Sequence, residues 1–446
     1  MPLSTRDRRM LAAVLVAVVA AVPAVVLRVL CVGRACDDRA PVRAEVPFCS
    51  LPDGLRRAIA AGYRAGRSPE VLAVTGETAV RGADGLLDLD PPWPGLDAAG
   101  STVPLVFSGA GVRPGSLPPD VRLDVVAPTV AEIIDLDRLH PEVRSGEALP
   151  GVAEAPVPRL VLQVVWKGVG TEDLRRRSDA WPVLRGLLQE GAGTLDARTG
   201  SLPLDPTAVL ATIGTGGLPR QHGITGTLVR SEEGELAEVG EPRAPLSVIA
   251  ALGDDLSEVG PPGSRVGLVG THPADRAAVG GGWYVGADEP DVVAGGGPVE
   301  ARVEAAARLL ATGYGDDGEP DLLVVTLEGP LPRLDGALGS LIVAAESAAP
   351  GTTAVVVTST GSSGPEGEDA LTHDQVRRRV EGSEGVPEGA VAATALGGLF
   401  LDQEVLGETG ASAQVVVRAL AGVRATQGEV FADAFSGVAV EFARYC

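Results

Sequence analysis

Positive charge is scarce in this chain, and lysine is almost absent. The 446 residues carry 37 lysine and arginine side chains against 59 aspartate and glutamate side chains, which gives a formal net charge of −22. Binding to nucleic acid or to an anionic lipid surface needs a basic face, so this composition argues against both kinds of partner. Lys167 is the one lysine. A preference for arginine is typical of a GC-rich genome, which makes the single exception worth following.

Only one uncharged run approaches the length of a membrane span. Met10 to Leu27 contains no charged residue, and three of the four residues from 6 to 9 are arginines. Such a run is near the lower limit for a spanning helix, and the positive flank favours a cytoplasmic N-terminus. The alternative is a cleaved signal peptide. We predict four segments: a cytoplasmic stretch (1–9), a membrane anchor (10–30), an extracytoplasmic stalk (31–54) and a single domain (55–446).

Cysteine is limited to four residues, Cys31, Cys36, Cys49 and Cys446, and all of them follow the predicted anchor. This order places them on the oxidising side of the membrane, where disulfides form. Four cysteines allow three pairings. A further alternative is that Cys31 stays free at the membrane boundary.

Apolar residues, by contrast, are abundant, at 45% of the chain. Leu160 to Trp166 is a valine-rich run typical of a central strand buried on both faces. Lys167 follows at its carboxyl end, where open α/β sheets bind their ligands. Farther on, Asp205 and Pro206 stand where a helix N-cap and a first-turn proline belong, with Thr207 inside that turn. The alternation of such strands and helices predicts an α/β fold with a mostly parallel sheet and helices on both faces.

Two further expectations concern the region between 240 and 300. The pattern predicts a helix over 244–252. The stretch from 270 to 297 is acidic and glycine-rich and contains Trp283 and Tyr284. We interpret it as a lid or partner-binding loop or, equally, as a solvated insertion.

Ala211 to Gly226, which reads ATIGTGGLPRQHGITG, resembles a segment of the alkaline phosphatase superfamily, in particular its phosphodiesterase and nucleotide pyrophosphatase branch. The resemblance implies an alkaline-phosphatase-like fold. It also implies a site with two metal ions, usually zinc, and a threonine nucleophile, whose position falls at or next to Thr207. The family's first metal ligand is an aspartate at the end of the first strand, and this chain has Lys167 there.

The remaining ligand positions that the resemblance implies are also altered. Thr360 and Gly361 stand where the family has an Asp-His pair, and Glu328 is the only acid close to the end of a third strand. The four histidines form no paired motif. We therefore expect no metal cofactor, the alternative being zinc or another divalent ion, and we expect Lys167 to pair with Asp205 or Glu328. That pair either keeps an anion-binding cleft or replaces the metal structurally.

The order of the matching segments differs from the order in the family. Residues 55–150 resemble the family's C-terminal part, and residues 159–446 resemble its N-terminal and central part. The resemblance therefore implies a circular permutation, with a tandem of two truncated domains as the alternative. A permutation would bring Cys49 close to Cys446, so we predict that these two are joined and that Cys31 pairs with Cys36.

Together these features predict a membrane-anchored, extracytoplasmic pseudoenzyme that binds an unidentified ligand or protein at the cell envelope. One alternative is a divergent hydrolase of phosphoric or sulfuric esters that uses Thr207 as its nucleophile. The other is a structural envelope protein, in which the space around Lys167 would be filled by side chains.

Overall fold

An eight-stranded sheet forms the centre of the fold, and Lys167 directly follows the carboxyl end of one of its central strands. The computed structural model describes residues 47–76, 79–81, 92–98, 100–286, 288–364, 370–425, 428–443 and 446. Residues 46–446 form one compact unit. The predicted anchor, Cys31 and Cys36 lie outside the described residues. Within the described ranges, no helix is both long and apolar enough to cross a membrane.

The described strands and helices alternate along most of the chain. The strands β1 to β18 span Val71–Thr75, Val80–Arg81, Thr102–Gly109, Gly115–Ser116, Leu160–Trp166, Ala192–Arg198, Leu228–Arg230, Leu236–Glu238, Val266–Gly270, Asp291–Ala294, Asp321–Leu327, Thr353–Ser359, Leu371–Thr372, Val391–Ala395, Gly398–Leu401, Arg424–Ala425, Gly428–Glu429 and Phe431–Ser436. The helices α1 to α14 span Pro47–Ser50, Asp53–Gly62, Val126–Ile133, Thr171–Arg176, Pro182–Glu190, Pro206–Thr215, Pro219–His222, Leu252–Val259, Val299–Leu310, Leu331–Ala348, His373–Glu381, Gln403–Thr409, Ala413–Ala421 and Gly437–Glu441.

The large sheet is mostly parallel, as predicted, and β5 lies near its middle. Its strand order is β10-β9-β11-β5-β12-β3-β6-β4. β5 pairs in parallel with β11 and with β12 over its whole length, and all seven of its residues are buried. β3 runs antiparallel to both of its neighbours. The Val-rich run is therefore a central strand because both of its faces are covered.

Helices cover the two faces of this sheet, which confirms the predicted fold class. Along β5, Val161 and Val165 belong to one hydrophobic core, which includes residues of α3, α6 and α8. Leu162 and Val164 belong to a second core, which includes residues of α5, α9 and α10. The alternation follows from the strand period of two residues, which turns successive side chains to opposite faces.

A second, four-stranded sheet joins the two ends of the described chain. Its order is β14-β15-β1-β18, and β1 pairs antiparallel with both β15 and β18. A disulfide links Cys49 to Cys446, with the two Cα atoms 5.2 Å apart. The predicted Cys49–Cys446 pairing is confirmed, whereas the circular permutation that suggested it stays a prediction.

The helix predicted over 244–252 is wrong, because the helix in this region, α8, begins only at Leu252. Pro242 and Pro245 precede it, and the Asp254 carboxylate accepts a hydrogen bond from the backbone N–H of Ala251 at 2.8 Å. This reach back to the N-cap residue fixes the start of the helix.

Candidate functional site

Lys167 closes the carboxyl end of β5 and connects strand ends that are not neighbours. Its side chain is buried, and Nζ donates hydrogen bonds to Oγ1 of Thr271 at 2.8 Å and to Oδ1 of Asp275 at 2.9 Å. Thr271 directly follows β9, which is separated from β5 by β11. Lys167 therefore links the carboxyl ends of β5 and β9, with the end of β11 between them.

Asp275 is the carboxylate at the centre of this network, and it is fully buried. Its Oδ2 accepts hydrogen bonds from four donors: Thr326 Oγ1 at 2.6 Å, Thr271 N at 2.8 Å, Thr271 Oγ1 at 2.9 Å and His272 N at 3.2 Å. With Lys167 on Oδ1, the carboxylate accepts five hydrogen bonds, four of them on Oδ2.

The pKa of Asp275 lies below its usual range. Burial acts in the opposite direction and raises it, but the positive charge of Lys167 and the hydrogen bonds from Thr326, Lys167 and Thr271 outweigh burial. Asp275 is therefore a stable carboxylate that is already committed to an internal cation.

The predicted partners of Lys167 are wrong. Within the described part of the chain, its ion pair is with Asp275 and not with Asp205 or Glu328. Asp205 is engaged elsewhere, as the cap of α6. Glu328 follows β11 and is half-buried. The long lysine side chain passes the end of β11 and reaches the segment after β9. The prediction considered only acids near the ends of β5 and β11 and near the start of α6, so it missed this partner.

The loop after β12 is joined to the end of β5 by three hydrogen bonds, two of them between backbone groups. Thr360 N donates to Trp166 O at 3.0 Å, Gly168 N donates to Thr360 Oγ1 at 3.2 Å, and Ser363 N donates to Gly168 O at 3.1 Å. Thr360, which stands at a metal-ligand position implied by the resemblance, thus serves as a backbone tie.

Thr207 belongs to a separate network at the start of α6. Asp205 is the N-cap, as predicted, and its Oδ1 accepts from Thr207 N at 2.9 Å and Ala208 N at 3.3 Å. Thr227 also binds this carboxylate, through its N–H to Oδ2 at 2.9 Å and its hydroxyl to Oδ1 at 3.1 Å. The hydroxyl of Thr207 lies 2.8 Å from that of Thr227, and Thr207 is only 3% exposed.

The two networks have different chemistry and do not meet. Across the described residues, no side-chain hydrogen bond or ion pair joins the Lys167–Asp275 network to the Asp205–Thr207–Thr227 network. The cavity that contacts Asp205 has a volume of about 20 Å³, which is room for a water molecule and not for a larger ligand. Among the described residues, Lys167 and Asp205 therefore take part in separate networks, and a cleft that they share with Glu328 stays a prediction.

The four histidines are dispersed. The Nε2 of His222 lies 3.1 Å from Thr212 Oγ1, and the ring of His373 accepts from Trp93 Nε1 at 2.9 Å. His272 caps a short 3₁₀ helix, and His140 lies on the surface. Among the residues that the structure describes, no group of three or more His, Cys, Asp or Glu side chains is placed to hold a metal ion.

Sequence reasoning missed Thr271 and Asp275, because both fall in the stretch from 270 to 297 that was interpreted as a loop. The signal that points to them is positional: RVGLVG predicts a strand, and polar residues directly after a parallel strand lie at the ligand-binding edge of the sheet. The first part of this stretch is a buried 3₁₀ helix, Pro273–Ala278, and its end is β10.

Neither a family model nor a curated protein matches the chain. Among solved structures, wild-type alkaline phosphatase PafA is similar, with a TM-score of 0.45 and 14% sequence identity over 60% of this chain and 76% of that chain. A multiply substituted variant of the same enzyme gives a TM-score of 0.41 and 14% identity over 59% and 76% of the two chains. The likeness concerns the fold alone.

Proposed function

We propose that this protein is a non-catalytic, alkaline-phosphatase-like protein of the cell envelope, which acts by binding and not by turnover. The observation that carries the proposal is the ion pair between Lys167 and Asp275 at the carboxyl edge of the sheet. The ammonium group of Lys167 lies at the carboxyl end of the central strands, where the family that the sequence resembles is expected to bind metal ions.

The residues at this edge do not fit a divalent metal site. Zinc is bound by thiolate, imidazole and carboxylate groups, whereas the groups here are an ammonium and the hydroxyls of Thr271 and Thr326 around one carboxylate. An ammonium repels a second cation, and both oxygens of Asp275 already accept hydrogen bonds. We therefore derive no reaction step through a metal.

The hydrolase alternative is less well supported, because the described contacts of Thr207 are those of a capped helix start. A threonine hydroxyl is weakly nucleophilic unless a neighbouring base, lysine or metal activates it. The hydroxyl of Thr207 contacts Thr227, and both residues are held by the capping carboxylate Asp205. This arrangement stabilises a helix start and a turn.

The structural alternative keeps part of its support, since the space around Lys167 is filled by protein groups. A binding role consequently requires a surface away from this edge. Placement at the envelope is supported by the uncharged run within residues 10–30 and by the Cys49–Cys446 disulfide, because disulfides persist in oxidising compartments.

Metal content and turnover of the full chain test the proposal. We expect no stoichiometric zinc, manganese or calcium by elemental analysis, and no Thr207-dependent hydrolysis of generic phosphodiester and phosphomonoester substrates when these metals are added. Replacing Lys167 by Asp should not create tight zinc binding, because Asp275 alone cannot complete a site. Two bound metals together with activity that Thr207→Ala abolishes would show that the protein is an enzyme.

A further inference from the structure

A groove of small-molecule size lies beside the loop that follows the 3₁₀ helix, and Lys167 is not among its lining residues. Its volume is about 440 Å³, within the range of ligand pockets. Its lining includes residues of the segment 239–247 and the residues from Gly280 to Trp283. Thr215, at the end of α6, also lines it, about 12 Å along the helix from Thr207.

The lining is mostly apolar and includes one exposed aromatic ring. Trp283 is 39% exposed and Leu246 is 60% exposed. The chain has four tryptophans, and the other three, Trp93, Trp166 and Trp181, are buried. A tryptophan on a groove wall offers both apolar area and a ring face that attracts cations.

The charges in the groove are predominantly negative. Three ionisable side chains line it: Glu241, Asp254 and Arg276. Arg276 is neutralised by its ion pair with Glu289, which leaves the two carboxylates. Asp254 is buried, and both of its oxygens accept backbone hydrogen bonds: Oδ2 from Ala251 N at 2.8 Å and Oδ1 from Gly281 N at 2.6 Å. Its charge therefore acts on the groove from within the protein, whereas Glu241 is exposed. Burial raises the pKa of Asp254, so a cation that pairs with this group relieves part of the cost of its charge.

We propose that this groove binds a small organic cation with an apolar body, such as an arylalkylamine. The apolar body lies against Trp283 and Leu246, and the amine faces Glu241, with the buried charge of Asp254 adding to the negative potential there. The enclosed volume suits a compact molecule better than an extended peptide. The assignment rests on the proposed binding function and names the ligand class for it.

A charge-matched series of probes tests the assignment on the full chain in nonionic detergent. The probes are 2-phenylethylamine, 2-phenylethanol and 3-phenylpropanoate, which carry the same ring with a positive, neutral or negative end. Binding is measured by titration calorimetry and by protection of Trp283 from quenching by acrylamide. We expect the amine to bind at least about tenfold more tightly than the carboxylate, with the alcohol between them.

Three variants make the test specific. Trp283→Ala should abolish binding of the amine, and Glu241→Gln should reduce the preference for the amine over the carboxylate. Val285→Ala is the matched control, because Val285 is fully exposed two residues from Trp283 and does not line the groove. Equal affinity for amine and carboxylate, retained binding in Trp283→Ala, or no binding up to about 1 mM would each overturn the assignment. Metal content and turnover are separate readouts, so this failure is distinguishable from failure of the proposed function.

Discussion

Replacing Lys167 by Met removes the internal cation while keeping a side chain of similar length. The Asp275 carboxylate then stays in a fully buried position with the hydroxyl and N–H donors but without its ion-pair partner. Breaking a buried ion pair from one side costs about 3–5 kcal/mol, because it leaves an uncompensated charge. We expect the free energy of unfolding at pH 7 to fall by about this amount.

The cost should depend on pH in a direction set by Asp275. In the wild-type protein its pKa lies below the usual 3.8. Without Lys167, the charge and the hydrogen bond that lower this pKa are lost, so the pKa of Asp275 in the folded variant rises above that in the folded wild type. The folded variant then binds a proton at a pH where the folded wild type does not, so the penalty of Lys167→Met shrinks as the pH falls from 7 towards 4.

Urea denaturation monitored by circular dichroism measures both effects. Arg175→Met is the control, since Arg175 is half exposed and its ion pairs with Glu172 and Asp196 are worth about 0–1 kcal/mol. The double variant Lys167→Met/Asp275→Asn should be more stable than the sum of the two single losses predicts. A loss for Lys167→Met no larger than the control, or one that grows on acidification, would refute the reasoning.

Two further predictions concern other parts of the domain. Replacing both Cys49 and Cys446 by Ser should lower the free energy of unfolding by about 2–4 kcal/mol, and non-reducing peptide mapping of the wild-type protein should recover the linked pair; free thiols at both positions would contradict this. Burial, aided by the charge of Arg64, lowers the pKa of His222 to about 3 from 6.5, so the unfolded chain takes up a proton that the folded chain does not. Stability should therefore fall as the pH drops from 6.5 towards 3, and His222→Gln should flatten this slope in denaturation curves; an unchanged slope would show that His222 is not a source of it.

Much of the fold was predictable because its signals are local. The buried strand Leu160–Trp166 and the cap–proline start of α6 were each predicted from short stretches. The pairing of β1 with β18 was not, because it joins segments that are about 360 residues apart and its strands carry no pattern that names a partner. Such a pairing forms only when the rest of the chain has folded and brought the two strands together, so local sequence patterns do not predict it.

The candidate site was predicted only in part, for a related reason. That Lys167 ends a central strand is visible in the sequence, but its partner is chosen by the strand order β9-β11-β5, which periodicity does not specify. Asp205 was correctly placed as a helix cap, and the cap itself explains why this carboxylate is not available to Lys167. The groove beside Trp283 is formed by segments that are distant in sequence, and no sequence motif predicts that they lie next to each other.

The Cys49–Cys446 bond turns nearly the whole folded unit into a covalent ring. A single cut in a surface loop of this ring leaves one covalent molecule, because the two pieces of the chain stay joined through the disulfide. Release of a fragment then needs two cuts or reduction of the bond. A protease can therefore cut one loop between the two cysteines and leave every strand of the unit in one covalently connected molecule.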